Sequence, residues 1–225
     1  MNMDRTKSQV LRYLGRKNQK VPEDLDNLIG ECIGVMRESA EPRHTSLRFD
    51  IISDVGGIAL AGTGLLLKGR DIANHLHGCT QAVLFAATLG AQAEYLIRQW
   101  ERTDLTRALV LDACATQLIE EYCDAARQEL HAQAAADGLM ATGRFSPGYG
   151  DFPLDIQPQL LAILNAERRI GLTCTGSMIL LPRKSVTALV GLCEKMIPSP
   201  GGCGSCPLDC DFRKDGSINE CPRMD

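Results

Sequence analysis

The sequence lacks any long uninterrupted apolar segment. Its longest apolar stretch, residues 56–67, is broken by Gly and Thr and falls well short of the roughly 20 residues that span a bilayer. The first 20 residues also lack the apolar core of about 7–15 residues that a secretory signal contains. We therefore expect a cytoplasmic protein with no membrane partner.

Surplus positive charge is absent and aromatic rings are scarce. The 225 residues contain 24 Lys and Arg against 28 Asp and Glu, and only one Trp, four Tyr and five Phe. Nucleic-acid-binding proteins usually present a basic surface, often with rings on which bases stack, so we expect no nucleic-acid partner. The one basic stretch, residues 5–20, places Val10, Leu11 and Leu14 at helical spacing, which favours the solvated face of a docked helix over a lipid or RNA contact.

The order of predicted elements is not that of a parallel sheet. The predicted helices cover residues 22–41, 69–78, 91–102, 105–136 and 158–169, and the predicted strands cover residues 45–52, 58–61, 79–89, 139–145 and 185–193. No repeating βαβ unit and no G-x-G-x-x-G occurs, so the predicted fold class is α+β, a mainly antiparallel twisted sheet flanked by helices. We divide the chain into a basic helical segment (1–20), the α+β domain (21–197) and a cysteine-rich C-terminal tail (198–225).

One short loop holds three of the few aromatic residues. Phe145, Tyr149 and Phe152 lie within eight residues, where an even spread would give about 0.4. The same loop carries Arg144 and the turn-forming pair Pro147-Gly148. An arginine can bind a carboxylate in bidentate fashion, and a ring can hold a flat or cationic group. The loop is therefore either a ligand site or a tight turn whose rings cover the edge of the core.

Residues 144–149 read R-F-S-P-G-Y, and related patterns lie on both sides. The positions concerned are Arg144, Pro147, Gly148 and Tyr149, then Gly171, Thr175, Ser177, Pro182 and Ser185-Val186-Thr187 downstream, and Ala113, Ala115, Leu118 and Glu120 upstream. Over about residues 109–192 the chain resembles the activation (reactivation) domain of cobalamin-dependent methionine synthase. The first of these patterns is similar to that family's S-adenosylmethionine-binding motif.

The resemblance implies a ligand, a reaction and two partners. A domain of that family binds S-adenosylmethionine and presents its methyl group to cob(II)alamin, while a flavodoxin-type or other low-potential donor supplies an electron. By this resemblance Arg144 holds the methionine carboxylate, and Glu120 faces the amino group. Tyr149 and the backbone around Pro147 and Gly148 line the adenosyl or sulfonium region. The chain would then be a component of a methyltransferase system in methionine biosynthesis.

The chain also departs from the family pattern. Gly176 stands where the family has Glu, and after Leu192 nothing corresponds to the family's paired-tyrosine segment. A non-catalytic partner or sensor of a corrinoid protein, without S-adenosylmethionine turnover, therefore remains an alternative. No D-x-H-x-x-G corrinoid motif occurs, so any cobalamin is expected on a partner, a cobalamin-binding methyltransferase or corrinoid protein.

Four of the ten cysteines fall in the tail. Cys203, Cys206, Cys210 and Cys221 have the spacing C-x2-C-x3-C-x10-C, and four thiolates suit a structural zinc or an iron–sulfur cluster. The alternatives are reduced, unliganded thiols or redox thiols. An iron–sulfur cluster would make the protein a reductive activator of a corrinoid protein. The other six cysteines are expected in the core: Cys32, Cys79, Cys114, Cys123, Cys174 and Cys193.

Overall fold

This computed structural model describes residues 3–16, 19–54 and 57–195. The α-helices are α1 (Met3–Tyr13), α2 (Glu23–Ser39), α3 (Arg70–His75), α4 (Ala91–Glu101), α5 (Leu105–Ala136), α6 (Gln157–Ile163) and α7 (Ala166–Ile170). The strands are β1 (Arg43–Asp54), β2 (Gly57–Leu60), β3 (Leu65–Leu67), β4 (Gln81–Thr88), β5 (Met140–Ala141), β6 (Thr173–Cys174), β7 (Leu180–Leu181) and β8 (Ser185–Cys193). A single 3-10 turn, Leu154–Ile156, leads into α6.

Six strands form one antiparallel sheet in the order β3-β2-β1-β4-β8-β5. The central pairs align Leu47 with Leu84 and Leu84 with Leu189. The predicted α+β class and the mainly antiparallel sheet are confirmed. A separate hairpin pairs β6 with β7.

Helices cover both faces of this sheet, so β4 is apolar on both sides. Leu84 packs in a core with α3, α6 and α7, whereas its neighbour Phe85 packs in a second core with α1, α2, α4 and α5. Because successive strand residues point to opposite faces, a strand between two cores reads as a continuous apolar run. This is why residues 79–89 show no alternation of apolar and polar residues.

The long helix α5 organises the larger helical layer. Its first turn is capped by Asp104, whose carboxylate accepts the backbone N–H of Arg107 at 2.9 Å. Cys114 and Cys123 of this helix are buried, as is Cys32 on α2, which confirms their predicted place in the core. Cys193 is also buried, while Cys79 and Cys174 are half-buried.

The sequence-based boundaries fail mainly after residue 138. The helix predicted over residues 158–169 is two helices, because Asn165 between them adopts a left-handed conformation with φ 50°. The strand predicted over residues 139–145 is shorter: only Met140–Ala141 forms β5, and Phe145 makes an isolated bridge to Leu189. The short strands β3, β6 and β7 were not predicted. Across residues 3–16, 19–54 and 57–195 the helices are too short or too polar to cross a membrane.

Candidate functional site

A pocket of about 340 Å³ opens beside the start of β8. Three segments enclose it: the loop after β5, residues 154–157, and the chain from the β6–β7 turn into β8. Glu120 of α5 completes the wall. The lining residues are Glu120, Arg144, Ser146, Pro147, Tyr149, Leu154, Gln157, Met178, Ile179, Leu180, Arg183, Ser185, Val186 and Thr187. A cavity of this volume is within the range of sites that bury a drug-sized ligand.

Backbone hydrogen bonds give the aromatic loop a fixed shape. Phe145 exchanges both backbone hydrogen bonds with Leu189 of β8, at 2.9 and 2.8 Å. Gly148 donates its N–H to the carbonyl of Phe152 at 2.8 Å and has φ 92°, a conformation that favours glycine. The Phe145 ring lies 5.9 Å from the Tyr149 ring and 6.0 Å from the Phe152 ring, measured between centroids. The loop's rings therefore pack at the edge of the core, and Ser146, Pro147 and Tyr149 line the pocket; the loop's role as a ligand site remains a prediction.

The loop is also fastened to α3. The Asp151 carboxylate accepts the backbone N–H groups of Asp71 at 2.9 Å and Arg70 at 2.7 Å. These two hydrogen bonds lower the pKa of Asp151 below its usual value, because they stabilise the charged form. At residue 150, where φ is 53°, a Cβ would lie 1.9 Å from Asp71 Oδ2, so any larger residue would displace the Asp71 carboxylate.

A buried arginine carries the positive charge at the back of the pocket. The Arg144 side chain is only 4% exposed, and its Nη2 lies 2.9 Å from Glu120 Oε2 and 3.4 Å from Asp124 Oδ1. Glu120 and Asp124 are one helical turn apart on α5, so both reach the same guanidinium. Arg144 thus lies against two carboxylates of α5.

The opposite wall is a tight turn in the β6–β7 hairpin. Thr175 N–H donates to the Ile179 carbonyl at 2.8 Å, and Met178 within the turn has φ 65°, a conformation that non-glycine residues adopt infrequently. The Met178 carbonyl accepts a hydrogen bond from Gln157 Nε2 at 2.5 Å, and Gln157 Oε1 accepts one from the Thr187 hydroxyl at 2.7 Å. Gln157 and Thr187 are both buried, so this pair joins α6, the turn and β8.

His75 supports the aromatic loop from below. Its Nε2 lies 3.0 Å from the Gly143 carbonyl, directly before Arg144, and its ring lies 5.0 Å from the Phe145 ring. Burial lowers the pKa of His75 from 6.5 to about 4, because an apolar environment disfavours the charged imidazolium. The neutral ring can therefore donate its Nε2 proton to Gly143 at neutral pH.

The structure places the predicted ligand residues around one pocket. Glu120, Arg144, Pro147 and Tyr149 line it, and Gly148 shapes the turn that carries them. Sequence reasoning missed Gln157 and Arg183. Arg183 lies inside the P-x-x-S-V-T segment at 182–187, where its charge was a usable signal. Nothing in the sequence distinguishes Gln157 from a surface glutamine.

The predicted metal ligands Cys203, Cys206, Cys210 and Cys221 lie outside the described residues. Within residues 3–16, 19–54 and 57–195, no three His, Cys, Asp or Glu side chains are grouped as a metal site requires. The zinc or iron–sulfur assignment of the tail remains a prediction.

The chain was compared with known proteins in three ways. No protein-family model matches it, and no curated protein is similar in sequence. Among solved structures it is similar to the MetH reactivation domain bound to AdoHcy, with a TM-score of 0.62 and 15% sequence identity, over 83% of this chain and 74% of that chain. At this identity the likeness establishes a shared fold.

Proposed function

We propose that this protein binds S-adenosylmethionine in the pocket and serves as a reactivation protein for a corrinoid-dependent, methionine synthase-type methyltransferase. The observation that carries the proposal is the convergence of the R-x-x-P-G-Y loop, Glu120 and the 185–187 segment on one cavity. The solved domain that shares the fold is bound to AdoHcy, which has the same adenosyl and amino-acid parts as S-adenosylmethionine.

The chemistry of the lining suits this ligand. S-adenosylmethionine carries a carboxylate, an ammonium group, a sulfonium and a flat base. Arg144 would hold the carboxylate and Glu120 the ammonium group, both as charge-assisted hydrogen bonds. The Tyr149 ring and the backbone at Pro147 and Gly148 would face the sulfonium or adenosyl part, since an aromatic face attracts a cation. Leu154, Ile179 and Val186 supply the apolar wall.

The proposed reaction needs a partner and an electron. This protein would present the methyl group of S-adenosylmethionine to cobalamin on a partner protein. A flavodoxin-type or other low-potential donor would supply one electron to cob(II)alamin, and the reduced cobalt would accept the methyl group while the methyl–sulfur bond breaks and AdoHcy leaves. The corrinoid motif is absent from the sequence, which supports a cobalamin held by the partner. The chain's own residues would bind and orient the methyl donor.

Calorimetric titration with S-adenosylmethionine tests the binding step. The wild type should bind, and Arg144→Ala should abolish binding. Because Arg144 is buried, the variant's fold must be checked by circular dichroism, and Tyr149→Leu provides a second, less disruptive loss of contact. Arg168→Ala is the matched control, since Arg168 is exposed on α7 and away from the pocket. Unchanged affinity in Arg144→Ala would contradict the site.

A second experiment tests turnover. S-adenosylmethionine, a reductant and a cob(II)alamin-loaded partner are mixed with this protein, and methylcobalamin is followed by its absorbance. We expect methylcobalamin to form with the wild type and not with Arg144→Ala. Binding without methylation would instead favour the non-catalytic partner or sensor, which the departures from the family pattern allow.

A further inference from the structure

The charged groups around Arg144 carry more negative than positive charge. Arg144 is shared between Glu120 and Asp124 at 2.9 and 3.4 Å, so this trio of groups carries one net negative charge. Lys184, directly before β8, does not offset this charge because it is paired with α5. Its Nζ lies 2.9 Å from Asp112 and 2.8 Å from the Thr116 hydroxyl. The ligand's ammonium group would offset Glu120 but not Asp124, so a ligand carboxylate that approached Arg144 alone would meet repulsion from Asp124.

Arg183 is a cation of the same pocket that is not neutralised in this way. It lines the cavity and is exposed. In the described parts of the chain no Asp or Glu oxygen lies within 4.0 Å of its guanidinium. Its charge is thus available to an anion that enters the pocket.

The backbone around Arg183 is held in place on both sides. Its N–H donates to Glu94 Oε2 of α4 at 3.0 Å. The preceding Pro182 carbonyl accepts the Ser185 hydroxyl at 2.6 Å, and the following Lys184 is fixed by its contacts to α5. A side chain on a fixed backbone loses less conformational freedom when it binds a ligand.

We infer that Arg183 is a specificity-determining residue of this pocket, which binds the ligand's carboxylate together with Arg144. The inference rests on the proposed S-adenosylmethionine site and assigns it a residue that the R-x-x-P-G-Y motif does not contain. With Arg183 included, the two guanidinium groups balance Glu120 and Asp124, and a ligand carboxylate no longer enters a region of net negative charge. The site then selects ligands that retain the amino-acid part.

Affinities for two ligands distinguish carboxylate binding by Arg183 from a general effect of the substitution on the pocket. Methylthioadenosine keeps the adenosyl part of S-adenosylmethionine, with a neutral thioether in place of the sulfonium, and lacks the amino-acid part with its carboxylate. By calorimetry Arg183→Gln should lose about tenfold in affinity for S-adenosylmethionine, the size expected for one charge-assisted hydrogen bond, and keep its affinity for methylthioadenosine within about twofold. Arg183→Lys should recover part of the loss, and Arg168→Gln, which removes one exposed positive charge on α7, should match the wild type.

The outcomes distinguish the inference from the proposed function. Equal affinity of wild type and Arg183→Gln for S-adenosylmethionine would overturn the inference while leaving the site in place. A similar loss for both ligands would also overturn it, since the effect would not involve the carboxylate. A wild-type protein that binds neither ligand would contradict the proposed function and remove the inference with it.

Discussion

Gln157 is a buried polar residue on which three parts of the pocket depend. Its amide nitrogen donates to the Met178 carbonyl and its amide oxygen accepts from Thr187. Gln157→Ala leaves the buried Thr187 hydroxyl and the carbonyl of half-buried Met178 without this hydrogen bond, so we expect a loss of about 1–3 kcal/mol in the free energy of unfolding. Urea denaturation measures that loss, and calorimetry should show weaker S-adenosylmethionine binding because the turn at Met178 is no longer held.

Gln159 on the same helix provides the matched control. It is exposed, and its amide contacts the Gly64 carbonyl at 3.2 Å. Hydrogen bonds at the surface exchange with water at little cost, so Gln159→Ala should change stability by less than about 0.5 kcal/mol. Equal effects of the two substitutions would contradict the bridging role of Gln157.

His75 makes the stability of the fold depend on pH. Its pKa is lowered to about 4 in the folded state, whereas the unfolded chain binds the same proton with a pKa near 6.5. The neutral ring therefore stabilises the fold fully above about pH 6.5, and this contribution is lost as the pH falls towards 4. Between pH 7 and pH 5 it should account for about 2 kcal/mol of the decrease in unfolding free energy.

Urea denaturation of His75→Gln at both pH values measures this share. The decrease from pH 7 to pH 5 should be smaller in the variant than in the wild type. His131→Gln is the comparison, since partial burial and Arg127 also lower the pKa of His131 but the residue is exposed on α5, so water screens most of the effect. An unchanged decrease in His75→Gln would show that the imidazole is not held neutral.

At the scale of elements, the loop of residues 144–153 is positioned by its contact with α3. Asp151→Ala removes the acceptor of the Arg70 and Asp71 N–H groups. We expect faster hydrogen exchange at these two amides, because exposed backbone groups without partners are poorly protected. The freed loop should also weaken S-adenosylmethionine binding about fivefold, since its order must then be restored on binding.

Asp155→Ala tests whether any lost carboxylate has the same effect. Asp155 is exposed in the 3-10 turn after the loop, and its removal should leave both exchange and affinity unchanged. If Asp151→Ala speeds exchange at Arg70 and Asp71 but leaves the affinity unaltered, the contact between Asp151 and α3 does not position the pocket, and this prediction is contradicted.

Elements with a strong local signal could be predicted from the sequence, and the weaker ones could not. The helix at 105–136 and the strand at 185–193 have the predicted bounds, because each combines a long apolar pattern with a clear end. The division between α6 and α7 depends on the left-handed Asn165, which nothing in the apolar spacing reveals. The hairpin of β6 and β7 has two residues in each strand, too few to show a period.

At the scale of the whole molecule, features that depend on pairing between distant segments could not be predicted from the sequence. The class was predictable from the absence of βαβ units, but the strand order was not, because β1 pairs with β4 and β4 pairs with β8 across long stretches of chain. Glu120 and Arg144 could be named from motif resemblance. The sequence does not show that Arg144 pairs with Asp124 as well as with Glu120. Nor does it show that Arg183 lines the same pocket, because both facts depend on how the sheet and helices pack together.

The cysteine tail and the ligand pocket should be independent features of the molecule. Four thiolates can hold zinc or an iron–sulfur cluster, so protein purified anaerobically should contain metal, and a double Cys203→Ala, Cys206→Ala variant should lose it. The pocket is lined by residues between 120 and 187, so the variant's S-adenosylmethionine affinity should equal that of the wild type. Cys174→Ala, at a half-buried cysteine of β6, should retain the metal. Visible spectra and metal analysis measure the metal content, and calorimetry measures the affinity. A colourless, metal-free wild type would exclude a metal centre in the tail. A loss of S-adenosylmethionine affinity in the double variant would contradict the independence of the tail and the pocket.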